Sequence, residues 1–387
     1  MNSSAARRWR VIAGVVLSLS LAIGTWWRVQ FEFQKPSDTV QQEQSGSLQQ
    51  QLVAEALKIA DGDRSLEKLR QIAVIDADGN LTIDGILSLS SPPILRPEGL
   101  ADSIRQHAQR RDATMLAESM RYIIGPELHD EIDQILAGLL EESPGKNSSQ
   151  WLKVLWKQPP MDHPQYVEFK SRLYRRQDNR FEEYFNDSFQ SSIRMDEIAW
   201  GGVRRDGIPP LTNPNTLSAR QAEYLADSDV VFGVSINGDA RCYPKRILAW
   251  HEMVRDTVGG VPINGVYCTL CGSMIVYDTR WNDRQFLLGT SGFLYRSNKL
   301  MYDRETKSLW STICGRPVVG PLVEENISLN RLHVVTSTWG QWRQQHPDTR
   351  VLSLNTGHER DYGEGVAYRD YFATDDLMFD VPARDNR

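Results

Sequence analysis

The sequence predicts an α+β protein with an N-terminal membrane anchor, a mainly α-helical middle region, and a β-rich C-terminal domain carrying a few short helices. Three observations predict it. Residues 11–27 form an uncharged apolar run behind three arginines. Apolar residues then recur at helical spacing, and from about Trp200 β-branched residues, aromatics and turn signals take over. The boundaries that follow are 1–35 for a cytoplasmic basic flank and signal-anchor helix, 36–51 for a stalk, 52–195 for the helical region and 196–387 for the β-rich domain.

The anchor reading rests on Arg7, Arg8 and Arg10 ahead of Val11, with Trp26, Trp27 and Arg28 closing the run. A basic flank before apolar residues marks an export signal or anchor, and paired Trp suits a membrane interface. Seventeen residues are short for a span. No Ala-x-Ala cleavage site follows, which favours an uncleaved single-pass anchor over a removed signal peptide. The positive-inside rule then keeps the N-terminus in the cytoplasm, and the bulk of the chain lies in the periplasm or outside the cell. The net charge of −6 argues against broad nucleic-acid binding, which needs a basic face.

The polar, Gln- and Ser-rich stretch 36–51 reads as flexible linker. Helical periodicity follows in Leu52–Ile75, and returns from Pro97 to about Glu142, where Leu100, Ile104 and His107 form one stripe. Ser143-Pro144-Gly145 is a stop. Two more helices are expected over Gln150–Lys157 and His163–Phe185. His107, His129 and His163 read as surface or helix-end residues. The region resembles a spacer or a module for a protein partner. The "DADGN" loop at 76–80 lacks a full set of calcium-ligand positions.

In the C-terminal part, Val230–Ile236 and Ala240–Tyr243 read as strands around an Asn237-Gly238 hairpin turn. Arg246–Asp256 has helical spacing. Strands are expected at Ile263–Tyr267, Met274–Asp278, Gln285–Leu288, Lys299–Asp303 and Ser308–Ser311, with Arg304–Lys307 as a turn.

The segment "VYCTLCGSMIVYD" carries the chemistry. Cys268 and Cys271 flank two residues between two strands, whereas a thioredoxin-type pair leads a helix whose dipole lowers the first thiol's pKa. A CxxCG at a hairpin tip is the shape of a metal knuckle, with the glycine letting the chain curl so that both sulfurs face one point. A redox dithiol and a strained local disulfide are the alternatives. One knuckle supplies two ligands, so a transition metal (zinc, copper or iron) needs another, and His251 in "AWHEM" is the candidate. Glu252 is the candidate catalytic base, fourth ligand or orienting partner. Cys242 and Cys314 could pair, closing a loop of roughly seventy residues worth about 4 kcal/mol, or either could join the CxxC site.

The blocks "DGIPPLTNP", "VFGVSINGDARCYP", "ILAWHEMVRDTVGGVPI", "YCTLCGSMIVYD", "GTSGFLYRSNKLMYDRETKSLWS" and "HPDTRVLS" together resemble an exported bacterial family, domain of unknown function 3179, over about Arg204–Tyr371. The resemblance implies a fold unit and no activity. It departs at Thr269, where proline is usual, and at Cys242 and Cys314, where members lack cysteine, which implies a disulfide private to this chain. In the block from Ser291 to Arg304, strand alternation would let Ser291, Asn298 and Tyr302 line a polar cofactor-binding pocket. The plainer alternative is hairpin chemistry, with Asp303 and Thr306 satisfying turn amides.

Three functions compete. The first is a membrane-anchored exported domain binding a transition metal through Cys268, Cys271 and His251. The second is a periplasmic thiol-disulfide oxidoreductase in which Cys268 attacks and Cys271 resolves. The third is a non-enzymatic envelope-assembly protein that binds a partner through its helical region. No P-loop, dinucleotide-binding glycine pattern or Ser-His-Asp signature is visible.

Overall fold

The computed structural model describes residues 73–374. The expected anchor, the stalk and the helix-spaced stretch up to residue 72 lie outside the described residues. Among those described, no helix is long and apolar enough to cross a membrane. The described residues fall into two compact units, divided between Leu173 and Tyr174. The described protein is a mixture of helix and sheet whose C-terminal part is β-rich.

The described part of the first unit is helical. Its described helices are α1 (Ile83–Ser88), α2 (Leu100–His107), α3 (Ala113–Met120), α4 (Pro126–Leu140), α5 (Ser148–Trp156) and most of α6 (Tyr166–Arg175). Asn147 and Gln150 form a capping box that starts α5, and Pro126 opens α4, where its missing N–H has no partner to lose. α3 is buried on every side, with Met115, Leu116 and Ala117 fully covered. Its Glu118 is buried as well, and accepts hydrogen bonds from the Tyr166 hydroxyl and from Lys170 Nζ, the latter at 2.8 Å. Such a charged pair persists in an apolar interior only because each partner satisfies the other. His163, expected at the surface, is buried with Nε2 3.4 Å from Asp112 Oδ1. His107 does end a helix, and its Nδ1 lies 3.0 Å from the Gly79 carbonyl.

The second unit begins with a short 3₁₀ segment at Asn179–Tyr184, not the continuous helix to Phe185 that the periodicity suggested. Phe181, Tyr184 and Phe185 turn inward with Tyr174 and pack around Phe293, which breaks the helix in favour of an aromatic cluster.

Three five-stranded sheets follow. The first joins β1 (Ile198–Trp200), β11 (Leu288–Tyr295), β12 (Asn298–Asp303), β13 (Leu309–Ser311) and β14 (Arg316–Val319), in that order. The second runs β15 (Arg331–Leu332), β8 (Ser273–Asp278), β7 (Val261–Cys268), β6 (Met253–Val258), β2 (Leu211–Thr212). The third runs β16 (Val335–Thr338), β4 (Val230–Ile236), β5 (Asp239–Pro244), β17 (Arg350–Leu352), β3 (Thr216–Ser218). β9 (Arg280–Trp281) and β10 (Arg284–Gln285) make a separate ribbon.

Alternation explains the layering. On β6 and β7, Met253 and Val266 face a core with Leu288, Met301 and Trp310 of the first sheet's strands. Val254, Val258, Ile263 and Tyr267 face the opposite core with Phe232, Tyr243 and the helix α7 (Lys245–His251). The second sheet is therefore covered on both faces, and β7 at its centre is buried along most of its length. Behind the third sheet, α8 (Trp339–Gln345) lays Trp339 and Trp342 over Val231, Cys242 and Val351.

Two expectations need correction. The helical spacing of Arg246–Asp256 ends at His251; Glu252 is left-handed (φ 54°), and Met253–Val258 is strand β6, where alternate residues fill both cores. The predicted Gln285–Leu288 strand is two pieces, with β11 running on through Ser291-Gly292, where Gly292 (φ 89°) sits at a register shift. The Asn237-Gly238 hairpin formed as read, with both residues left-handed.

Gly233 on β4 lies beneath the Trp342 ring, so an added Cβ would enter the ring's van der Waals space. Gly233→Ala should therefore cost about 2–3 kcal/mol, read as a lowered midpoint in urea unfolding with an unchanged slope.

Candidate functional site

The CxxC lies where the sequence put it. β7 ends at Cys268, β8 begins at Ser273, and these two residues pair across the hairpin. The turn between them closes through Cys271 N–H donating to the Cys268 carbonyl at 3.3 Å, and Gly272 (φ 61°) takes the left-handed corner that only glycine adopts freely. The two sulfurs are 2.8 Å apart and both are free thiols. Cys268 is 4 % exposed, at the end of the buried central strand, whereas Cys271 is exposed.

Beneath the turn sits Glu252. The left-handed backbone there caps α7, its N–H donating to Leu248 O at 2.7 Å while its carbonyl accepts from Tyr267 N–H at 2.9 Å. The register that pairs Met253 with Val266 thus carries Glu252 alongside the end of β7. Its carboxylate is buried and fully engaged. Oε1 accepts from Thr269 Oγ1 at 2.9 Å, inside the CxxC itself, and from the Tyr368 hydroxyl at 2.7 Å, while Oε2 forms an ion pair with Lys299 Nζ. Lys299 enters from a second hairpin tip. Its neighbour Asn298 has Oδ1 3.9 Å from Cys271 Sγ, so the first residues of β12 meet the CxxC turn. The β11–β12 turn is made by Arg296 and Ser297, both left-handed (φ 46° and 65°), and Arg296 is tied to Glu197.

This arrangement governs the thiols. The hydrogen bond shared with Cys271 lowers the Cys268 pKa to about 7; burial opposes it, the Lys299 charge assists, and the Glu252 charge works against it. The same hydrogen bond, together with burial, raises Cys271. Of the two sulfurs, the inner one is therefore the first to ionise.

His251 goes elsewhere. Its ring is fully buried, Nδ1 donates to the Pro209 carbonyl at 2.8 Å, and Nε2 accepts from the Tyr362 hydroxyl at 2.6 Å. With both nitrogens engaged it does not join the thiols as a third ligand. Among the described residues no group of three or more His, Cys, Asp or Glu side chains is arranged to hold a metal ion. Trp250, His251 and Glu252 instead share one task. Trp250 Nε1 donates to the Asp361 carbonyl, and the next two residues hold Tyr362 and Tyr368, so three consecutive side chains grip one C-terminal segment.

The remaining candidates separate. Ser291 Oγ donates to the Leu300 carbonyl and accepts from Phe293 N–H, which makes it a bulge residue. The Tyr302 hydroxyl donates to Asp206 at 2.6 Å. Only Asn298 of that expected pocket trio touches the thiol pair. Asp303 accepts from the Thr306 amide and hydroxyl, as hairpin chemistry required, though Arg304 pairs with Asp206. The Cys242–Cys314 disulfide is not formed. Cys242 is buried on β5 against the α8 tryptophans, and Cys314 is exposed in the turn after β13 of a different sheet.

Sequence reading missed Lys299, Thr269, Tyr362 and Tyr368. Lys299 stood inside a block already singled out, but strand alternation from Asn298 directed attention to Tyr302.

Residues 205–387 match the family model described as protein of unknown function (DUF3179). No curated protein and no solved structure matches the chain.

Burial pushes the His251 imidazole down to about 4, with His358 and Arg360 adding to the effect and the Pro209 hydrogen bond opposing it. A histidine depressed in the folded state favours unfolding once protons bind the unfolded chain. Its contribution is therefore complete above the unfolded value near 6.5 and is lost as pH falls towards 4. Urea unfolding at pH 7.5 and 4.5 should show this as roughly 3 kcal/mol, largely absent in His251→Gln.

Proposed function

We propose, taking residues 205–387 as a member of that family, that Cys268 and Cys271 form a redox dithiol that exchanges disulfides with other thiols. The observation that carries the reading is the pair itself: two free sulfurs 2.8 Å apart, one buried with a lowered pKa and one exposed. Two thiolates on one tetrahedral zinc, at bonds of about 2.3 Å, stand about 3.8 Å apart; a disulfide needs about 2.05 Å. The pair is nearer to bond formation than to sharing a metal, and His251 is occupied by Pro209 and Tyr362.

Exposure favours roles opposite to those expected from the sequence. Cys271 is the sulfur a partner reaches, and Cys268 is the inner one. Thiol exchange depends on which sulfur is accessible and on how stable the other is as a thiolate. The basic flank and apolar run at residues 7–28 support an inner-membrane anchor with the dithiol on the exported, oxidising side, where such pairs operate. The helical region is then available for a protein partner.

The test is a redox titration of the full chain with thiol labelling, beside elemental analysis of anaerobically purified protein. Wild type should gain one disulfide between Cys268 and Cys271 and return two thiols on reduction, without stoichiometric metal. Cys268→Ser and Cys271→Ser should each abolish the cycle. Bound zinc, copper or iron at one per chain, lost in both variants, would overturn the reading in favour of a metal knuckle.

A further inference from the structure

Lys299 has no role in the exchange as so far described, yet it sits between the two features that define the pair. Its ammonium is mostly buried, held on Glu252 Oε2, and Glu252 Oε1 in turn holds the hydroxyl of Thr269 within the CxxC. The preceding residue, Asn298, reaches Cys271. A cation fixed this way cannot swing into solvent, because its own counter-ion is anchored by Tyr368 and by the turn.

We infer that the disulfide form of this pair accepts electrons from a dithiol substrate, with Cys271 as the sulfur attacked, Cys268 as the leaving group, and Lys299 as the positioning residue that supplies the counter-charge for the departing thiolate. The inference rests on the redox reading above and adds its direction, its substrate class and a residue.

The chemistry balances. A substrate thiolate attacks Cys271 Sγ and a substrate–Cys271 bond forms. The Cys268–Cys271 bond breaks, and its electron pair leaves on Cys268, inside the protein and within the field of the Lys299 ammonium that Glu252 holds under the turn. A second substrate thiolate then attacks the substrate sulfur of the mixed disulfide and displaces Cys271. That sulfur takes up a proton and returns to hydrogen-bonding distance of Cys268, 2.8 Å away in the structure. Two electrons pass from the dithiol to the protein, the substrate becomes a disulfide, and one proton is released to solvent for each Cys268 that remains ionised. A lower leaving-group pKa speeds the first step, and attack on the opposite sulfur would require a thiolate to enter the buried end of β7.

Lys299 and Glu252 pull the inner thiol in opposite directions, so their variants should move one observable to opposite sides. A general loss of structure would not do that. In the full-length protein, ultraviolet thiolate absorbance against pH should give a midpoint about one unit higher in Lys299→Gln and lower in Glu252→Gln, with Lys299→Arg close to wild type. Reduction of the disulfide by dithiothreitol should slow about threefold in Lys299→Gln. As a measurement free of these variants, oxidised wild type treated with glutathione, quenched in acid and mapped should carry the mixed disulfide on Cys271.

A pair that cycles while Lys299→Gln moves neither midpoint nor rate overturns the role of Lys299. A mixed disulfide on Cys268 overturns the assignment of Cys271 as the sulfur attacked and Cys268 as the leaving group. Failure of wild type to form any Cys268–Cys271 disulfide overturns the parent reading as well, and is distinguishable because no cycle is then observed.

Discussion

The carboxylate of Glu252 is the junction on which the C-terminal unit's site depends. One side chain, out of reach of water, binds a hydroxyl of the CxxC turn, an ammonium from the β11–β12 tip and a phenol from the C-terminal segment. An unpaired carboxylate in that position would cost several kcal/mol. The three partners are therefore a condition for folding around it, and they fix its neighbours as much as it fixes them. The left-handed backbone at the same residue turns the chain from α7 directly into β6. Local conformation and site chemistry meet at one position.

From there the arrangement of the dithiol follows. β7 is the central strand of a sheet covered on both faces, so its last residue cannot move far and Cys268 inherits that rigidity. Cys271 lies one turn further out and is free to meet solvent. A site whose inner sulfur is held by the scaffold and whose outer sulfur rides a turn with a left-handed glycine combines fixed electrostatics with an exposed thiol.

Much of the β-rich fold was legible, and the reasons are local. Val230–Ile236 and its Asn237-Gly238 turn matched because alternation and turn chemistry there agree. The CxxC hairpin was legible because β-branched residues flank it without a helix start. Arg246–Asp256 misled because His251 to Val258 carries apolar residues that satisfy a helical period, while the strand they form serves two cores at once. The pairing of His251 with the thiols failed for a different reason. Sequence proximity placed it near them, but its ring direction is set by Pro209 and Tyr362, which lie 42 and 111 positions away. The buried Lys170–Glu118 pair of the helical unit likewise left no trace in periodicity, since a charged residue on an apolar face is legible only once its partner is known.

The grip of Trp250, His251 and Glu252 on residues 361–368 carries a consequence for biogenesis. A chain is synthesised N-terminus first, so the sulfur pair and its carboxylate leave the ribosome roughly a hundred residues before the phenols that complete their surroundings. During that interval the nascent thiols and the Glu252 carboxylate stand open to solvent, and arrival of the late segment closes the pocket around the carboxylate.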